Sequence, residues 1–176
     1  MILTLSGFMG SGKTSSGREL ASRLGWRFVD LDAAIEDSEG VAISTIFAVR
    51  GEAAFRQMEH DSLETILTDA ASGNLVLALG GGTLMTPSCR TLIREKAVNI
   101  YLRAQKETLL KNLSKEDSAK RPMLGGDSLA GRIGSLMSER AAIYEEAADY
   151  IADIDGLSPV EVAGDIIQML GKDICL

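Results

Sequence analysis

Apolar positions along the chain fall into two alternating rhythms. Ile2-Leu3-Thr4-Leu5, Leu75–Leu79 and Val98–Leu102 are short and almost continuously apolar, as strands buried on both faces are. Between them the spacing becomes helical, most clearly over Glu52–Ala71, where Phe55, Met58, Leu63, Ile66 and Leu67 form one stripe. Together the two rhythms predict strands at Ile2–Ser6, Arg27–Asp30, Leu75–Leu79, Val98–Leu102 and Tyr150–Ile154. Helices are predicted at Lys13–Leu24, Val41–Val49, Glu52–Ala71, Lys106–Leu113 and Ser128–Ala148, with others starting at Thr86-Pro87 and Ser158. Strands alternating with helices point to an α/β protein whose parallel sheet is covered on both faces.

Punctuation residues agree with this division. Gly25-Trp26 ends the first helix, and Pro87 suits a first helical position behind Thr86 as N-cap. Ser158 and Glu161 have the spacing of a capping box. Ser114–Asp127 breaks the rhythm: it is polar, charged, and ends in Pro122 and Gly125-Gly126. That composition predicts a mobile loop, long enough to serve as a lid over residues 114–127. No repeat or linker divides the chain, so one domain is expected over residues 1–171, followed by a short tail, 172–176.

Composition narrows the classes. With 45% hydrophobic residues in 176, the chain can bury a core and is not of the disordered type. A net charge of −7 argues against a nucleic-acid partner. No apolar run is long enough to cross a bilayer, and no signal peptide is evident, so a cytoplasmic protein without membrane partners is expected. Cys89 and Cys175 match no metal or redox spacing, and Cys89 is expected to be a buried or half-buried thiol.

Gly7-Phe-Met-Gly-Ser-Gly-Lys-Thr14 lies between the first strand and the first helix, the setting of a phosphate-binding loop. Its glycines let successive N–H groups converge on an anion, and the helix behind adds the positive end of its dipole. In such a loop Lys13 reaches the β- and γ-phosphates, and the Thr14 hydroxyl ligates Mg²⁺. A chance turn ending in Lys-Thr would not carry this strand and helix on its two sides. Nucleoside triphosphate binding is therefore predicted.

Further candidates gain meaning beside that loop. Asp30 and Asp32, at the end of a predicted strand, could approach Mg²⁺ through water and a substrate hydroxyl; equally, Asp30 could end the strand and Asp32 cap a helix. Glu52 and Arg56 have the spacing of an ordinary surface pair, yet Glu59 could fix the Arg56 guanidinium for bidentate carboxylate binding. Gly80-Gly81-Gly82 follows a buried strand and would let a ligand press against bare backbone. Arg121, inside the lid candidate, could act as an arginine finger on the transferring phosphoryl group. Arg140 could be a second anion anchor, although alone it reads as a solvated helix position. His60 has no Cys or second His in support, so it is expected at the surface, outside any metal site or triad.

In order and spacing, Gly7–Thr14, Asp30-Leu-Asp32, Gly51-Glu-Ala-Ala-Phe-Arg56 with Glu59, Gly80–Gly82, Arg121-Pro122 and Arg140 through Tyr144 resemble the shikimate kinases. The resemblance implies a three-layer P-loop kinase fold: a five-stranded parallel sheet, a helical substrate-binding insertion over about residues 31–62, and a lid. It implies phosphoryl transfer from ATP to the 3-hydroxyl of shikimate, with Mg²⁺ as cofactor and a monomeric enzyme with small-molecule substrates only. In that scheme Gly10, Ser11, Gly12, Lys13, Thr14, Ser15 and Arg121 bind the nucleotide. Thr14, and Asp30 through water, serve the metal. Asp32, Arg56, Gly80, Gly81, Gly82 and Arg140 bind shikimate, and Lys13, Asp32 and Arg121 carry catalysis. The chain departs from the family in lacking a second arginine shortly before Arg121 and a basic residue near Ser158, which leaves adenine to backbone and Pro159. A gluconate-kinase-like acceptor is the nearest rival. A nucleotide-dependent switch is the rival from another class, but no Asn-Lys-x-Asp segment reads guanine here.

Overall fold

Leu3, Leu5, Val76 and Leu77 have no exposed surface, because the two strands that carry them lie side by side in the middle of the sheet. The computed structural model describes residues 1–70, 73–115 and 129–171. Its strands are β1 (Ile2–Ser6), β2 (Arg27–Asp30), β3 (Leu75–Ala78), β4 (Val98–Arg103) and β5 (Tyr150–Asp153). They form one sheet in the order β2-β3-β1-β4-β5, and every neighbouring pair is parallel. Ala78 faces both Leu5 and Asp30 in register, so β1, β2 and β3 end level with one another. The segments leaving them therefore emerge along one edge. Since β1 has β3 on one side and β4 on the other, that edge contains the point where open α/β sheets bind their ligands.

The helices are α1 (Lys13–Leu24), α2 (Leu31–Glu39), α3 (Ile43–Asp69), α4 (Pro87–Lys96), α5 (Lys106–Lys115), α6 (Leu129–Glu146) and α7 (Pro159–Leu170). Leu20, Ala21 and Leu24 of α1 are buried, and Gly25, at φ 66°, ends the helix by donating its N–H back to Ala21 and Ser22. The predicted capping box of Ser158 and Glu161 is formed at α7. Cys89 is a buried free thiol, as expected.

Some boundaries differ from the sequence expectation for physical reasons. Helix α2 is not predicted, because its apolar face consists of little more than Leu31 and Ile35, one turn apart and both fully buried. The predicted helices Val41–Val49 and Glu52–Ala71 are the two arms of α3, which breaks at Gly51 (φ 81°, ψ 170°), a conformation that glycine tolerates. Thr86 occupies the N-cap position of α4 but makes no capping hydrogen bond through its side chain. A 3-10 turn over Thr83–Met85 precedes it. Helix α5 extends through Ser114 and Lys115 into the start of the expected loop. His60 lies at the surface, as expected, though partly covered, with Nδ1 3.3 Å from the Asp61 carboxylate. The remainder of the lid candidate with Arg121, the expected Ala71 and Ser128 helix ends, and the 172–176 tail with Cys175 lie outside the described residues. Among the described residues no helix is long and apolar enough to cross a membrane.

Candidate active site

The phosphate loop turns at two left-handed glycines, Gly10 (φ 80°) and Gly12 (φ 77°), and Gly12 is the N-cap of α1. A side chain at either position would strain the backbone, and the resulting turn aims the first N–H groups of α1 into the mouth of the loop. Ser11 N–H donates to Phe8 O at 3.1 Å inside the turn. Lys13 Nζ donates to the carbonyls of Gly7 (2.9 Å) and Phe8 (3.1 Å), so its charge stays over the loop. Ser15 is exposed in the first turn of α1.

Asp30 serves two neighbours at once. Its Oδ1 accepts the Ala33 N–H (3.3 Å) as the N-cap of α2, while its Oδ2 accepts the Thr14 hydroxyl (2.6 Å). Asp30, not Asp32, is the capping residue. Asp32 lies in the first turn of α2 instead, half-buried. Burial above all, then the charge of Asp30, pushes its carboxyl up to about 6; Lys13 pulls the other way, and Glu59 and Glu36 add to the rise. Its basicity is thus well above that of an ordinary aspartate.

On the second arm of α3, Arg56 donates from Nη1 to Glu59 Oε2 (2.8 Å) and from Nη2 to Glu52 Oε1 (3.2 Å). Its guanidinium lies 5.4 Å from the Phe55 ring. Glu59 is only 1% exposed, and its other oxygen accepts the Thr83 hydroxyl at 2.6 Å. A buried carboxylate with a donor on each oxygen is a fixed support, because releasing either donor would leave charge unpaired in a low dielectric.

The glycine run is shaped by these side chains. A Cβ on Gly80 would stand 2.7 Å from Asp32 Oδ1, and one on Gly82 would stand 2.6 Å from Arg56 Nη2. At both positions the space is filled by the protein's own groups rather than left as bare backbone. Gly81 instead faces the phosphate loop, where a Cβ would meet Met9 N at 3.6 Å. The Gly81 carbonyl accepts from Arg140 Nη1 (3.1 Å) and from the Tyr144 hydroxyl (2.5 Å). Arg140 also lies 5.9 Å from the Phe8 ring, so the half-buried guanidinium belongs to the site and not to a solvated helix face. Tyr144 is 2% exposed and stacks on Tyr101 at 5.1 Å. Burial pushes its hydroxyl up to about 12, which keeps it a donor at neutral pH.

The structure thus gathers Lys13, Thr14, Asp30, Asp32, Arg56, Gly80–Gly82 and Arg140 at one sheet edge; Arg121 alone of the candidates lies outside the described residues. Two contributors escaped the sequence reading in their present roles. Thr83 follows the glycine run directly, and Tyr144 sits four residues after Arg140, on the same helix face. The open groove lined by Ile151, Leu157 and Met169 lies at β5 and contains none of the site's residues.

Known proteins correspond to this arrangement. The family model described as shikimate kinase matches residues 9–171. A shikimate kinase from Geobacter metallireducens is 40% identical over 166 residues, spanning 94% of this chain and 89% of that one. The solved structure of shikimate kinase from Acinetobacter baumannii in complex with shikimate superposes with a TM-score of 0.90 at 30% identity, covering 99% of this chain and 95% of that one. A gluconokinase from Sinorhizobium meliloti, at TM-score 0.57 and 16% identity over 97% of this chain and 93% of its own, shares the fold alone. The chain belongs to the shikimate kinase family.

Proposed function

We propose that this chain transfers the γ-phosphoryl group of ATP to the 3-hydroxyl of shikimate, releasing ADP. The observation that carries this reading is the juxtaposition of a phosphate loop with a carboxylate-binding cradle at the same sheet edge. Arg56, held by Glu59 and Glu52, and Arg140, held on Gly81, offer two positioned guanidinium groups to one small carboxylate. Between them and the loop, Asp32 accepts a hydrogen bond from the substrate hydroxyl, and its raised pKa suits it to take that proton during transfer. Lys13 exchanges the Gly7 and Phe8 carbonyls for phosphate oxygens when nucleotide enters. Phosphoryl transfer needs mainly positioning and neutralisation of charge, which these groups supply.

The donors around Thr14 are a hydroxyl and carboxylates, all hard oxygens, and they fit Mg²⁺. Among the described residues no cluster of three or more His, Cys, Asp or Glu could hold a metal ion by itself. Thr14 would be a direct ligand and Asp30 would act through water, with phosphate oxygens and water taking the other positions. Bound there, Mg²⁺ would neutralise charge on the β- and γ-phosphoryl oxygens.

The test is ADP release from MgATP with and without shikimate, with gluconate and a nucleoside monophosphate as alternative acceptors. Release that depends on shikimate is expected. Release indifferent to shikimate but raised by either alternative would overturn the assignment.

A further inference from the structure

One tie to the phosphate loop comes from a residue that none of the site motifs contains. Asn112, in the last part of α5, donates from Nδ2 to the Gly10 carbonyl at 2.9 Å, across a separation of 102 residues. The peptide that begins with this carbonyl ends in the Ser11 N–H, which donates to Phe8 O at 3.1 Å. In a planar trans peptide the C=O and the following N–H point in opposite directions. The Gly10–Ser11 peptide is therefore held at both ends, its oxygen toward α5 and its N–H into the turn.

Without the Asn112 bond, the turn bond from Ser11 N–H to Phe8 O is left to orient this peptide. Gly10 sits at φ 80° and, as a glycine, has conformations on both sides of φ zero open to it. A half-turn of the peptide would point the Gly10 oxygen toward the place where the loop's N–H groups converge. A carbonyl dipole there opposes a phosphate as strongly as an N–H favours it. Helix α5 also limits the loop sterically: a Cβ on Gly10 would stand 2.9 Å from Leu113 Cγ and 3.2 Å from Leu109 O. The loop thus rests against α5, and Asn112 supplies a polar contact between them.

We infer that Asn112 is a positioning residue for nucleotide binding, holding the Gly10–Ser11 peptide so that its carbonyl is turned away from the phosphate site. It acts through the loop backbone. The inference rests on the loop's binding a nucleotide, while adding a residue and a conformational requirement that the motif alone does not contain.

The experiment compares full-length wild type, Asn112→Leu and Asn112→Asp by calorimetric titration with MgADP and, separately, with shikimate, alongside steady-state kinetics and thermal unfolding. Asn112→Leu is expected to weaken MgADP and raise the KM for ATP about fivefold, the worth of one neutral hydrogen bond. Shikimate affinity should stay at the wild-type level, and Tm should fall by no more than the few degrees that one hydrogen bond accounts for. Asn112→Asp, nearly isosteric but facing a carbonyl with an acceptor, should weaken MgADP at least as much. Amide exchange at Ser11 should quicken in both variants. Wild-type MgADP affinity in Asn112→Leu would overturn this inference and leave the nucleotide site intact. A matching fall in both affinities and in Tm would overturn it too, by making Asn112 a residue of the fold. Absence of MgADP binding by the wild type would overturn the nucleotide reading with it.

Discussion

The phosphate loop and the acceptor cradle face each other across the ends of β1 and β3, and they are built in opposite ways. The loop is backbone: two left-handed glycines, the start of α1, and a lysine that bonds carbonyls five and six residues before it. The cradle is built mainly by side chains, each tied to another or to the glycine run. Thr83 holds Glu59, Glu59 holds Arg56, and Arg140 and Tyr144 hold Gly81. A backbone nest binds any polyphosphate, since every phosphate offers the same oxygens to the same N–H groups. Selectivity for one small hydroxy acid requires fixed, directional side chains. The donor half is thus generic, and the acceptor half specific.

The hardest test of that division is Asp32→Asn. Turnover should fall by about two to four orders of magnitude, the usual worth of a positioned proton acceptor, while ATP affinity stays near wild type. An equal loss in both would move Asp32 to the donor half. Next in size, Arg56→Lys removes the planar fork but keeps the charge, and should raise the KM for shikimate about 10- to 100-fold with the KM for ATP unchanged. Steady-state kinetics with each substrate varied in turn separates the two halves; a shift in the ATP constant would break the comparison.

The same division explains what could be read from sequence. The loop was legible because its contacts are local: Gly7–Thr14 folds on itself between a strand and a helix. Arg56 and Glu59 were legible for the same reason, being three apart on one helix. Thr83 with Glu59 and Tyr144 with Gly81 join residues 24 and 63 apart, and no spacing rule connects them. Helix α2 was missed although Asp30 was noticed, because a nine-residue amphipathic segment with two buried apolar residues scarcely shows a period. The glycine run was legible as a site but not in its cause. Only the structure shows Asp32 and Arg56 occupying the space that side chains at Gly80 and Gly82 would need.

Asp32 should also reveal itself in stability, as a group placed for function at some cost to the fold. Its carboxyl titrates near 3.8 when unfolded and is raised to about 6 in the fold. Between those values the native state binds more protons than the unfolded one, so this group's stabilising contribution is complete at low pH and is lost as pH rises toward about 6. Asparagine carries no such charge. Asp32→Asn should therefore be more stable than wild type at neutral pH, by about 1–2 kcal/mol after discounting for partial exposure. The advantage should fade as pH falls toward 4, the lower end of that window. Denaturant unfolding of the ligand-free protein at several pH values measures it, and a constant gap would mean the charge is not strained.

The smallest effect is expected from Tyr144→Phe, and it sharpens the account of the acceptor half most. Phenylalanine keeps the ring stacked on Tyr101 and removes only the hydroxyl that donates to Gly81 O. Arg140 still donates to that oxygen, so the carbonyl is not left unsatisfied and the fold should tolerate the change. What is lost is one of two restraints on the glycine run and on the Arg140 guanidinium beside it. With a single restraint the cradle should fit the acceptor less well, raising the KM for shikimate about threefold with the KM for ATP unchanged. An unchanged constant would mean that Arg140 alone orients Gly81. A rise in the ATP constant would mean that the cradle and the loop share this support, since Gly81 faces Met9 of the loop.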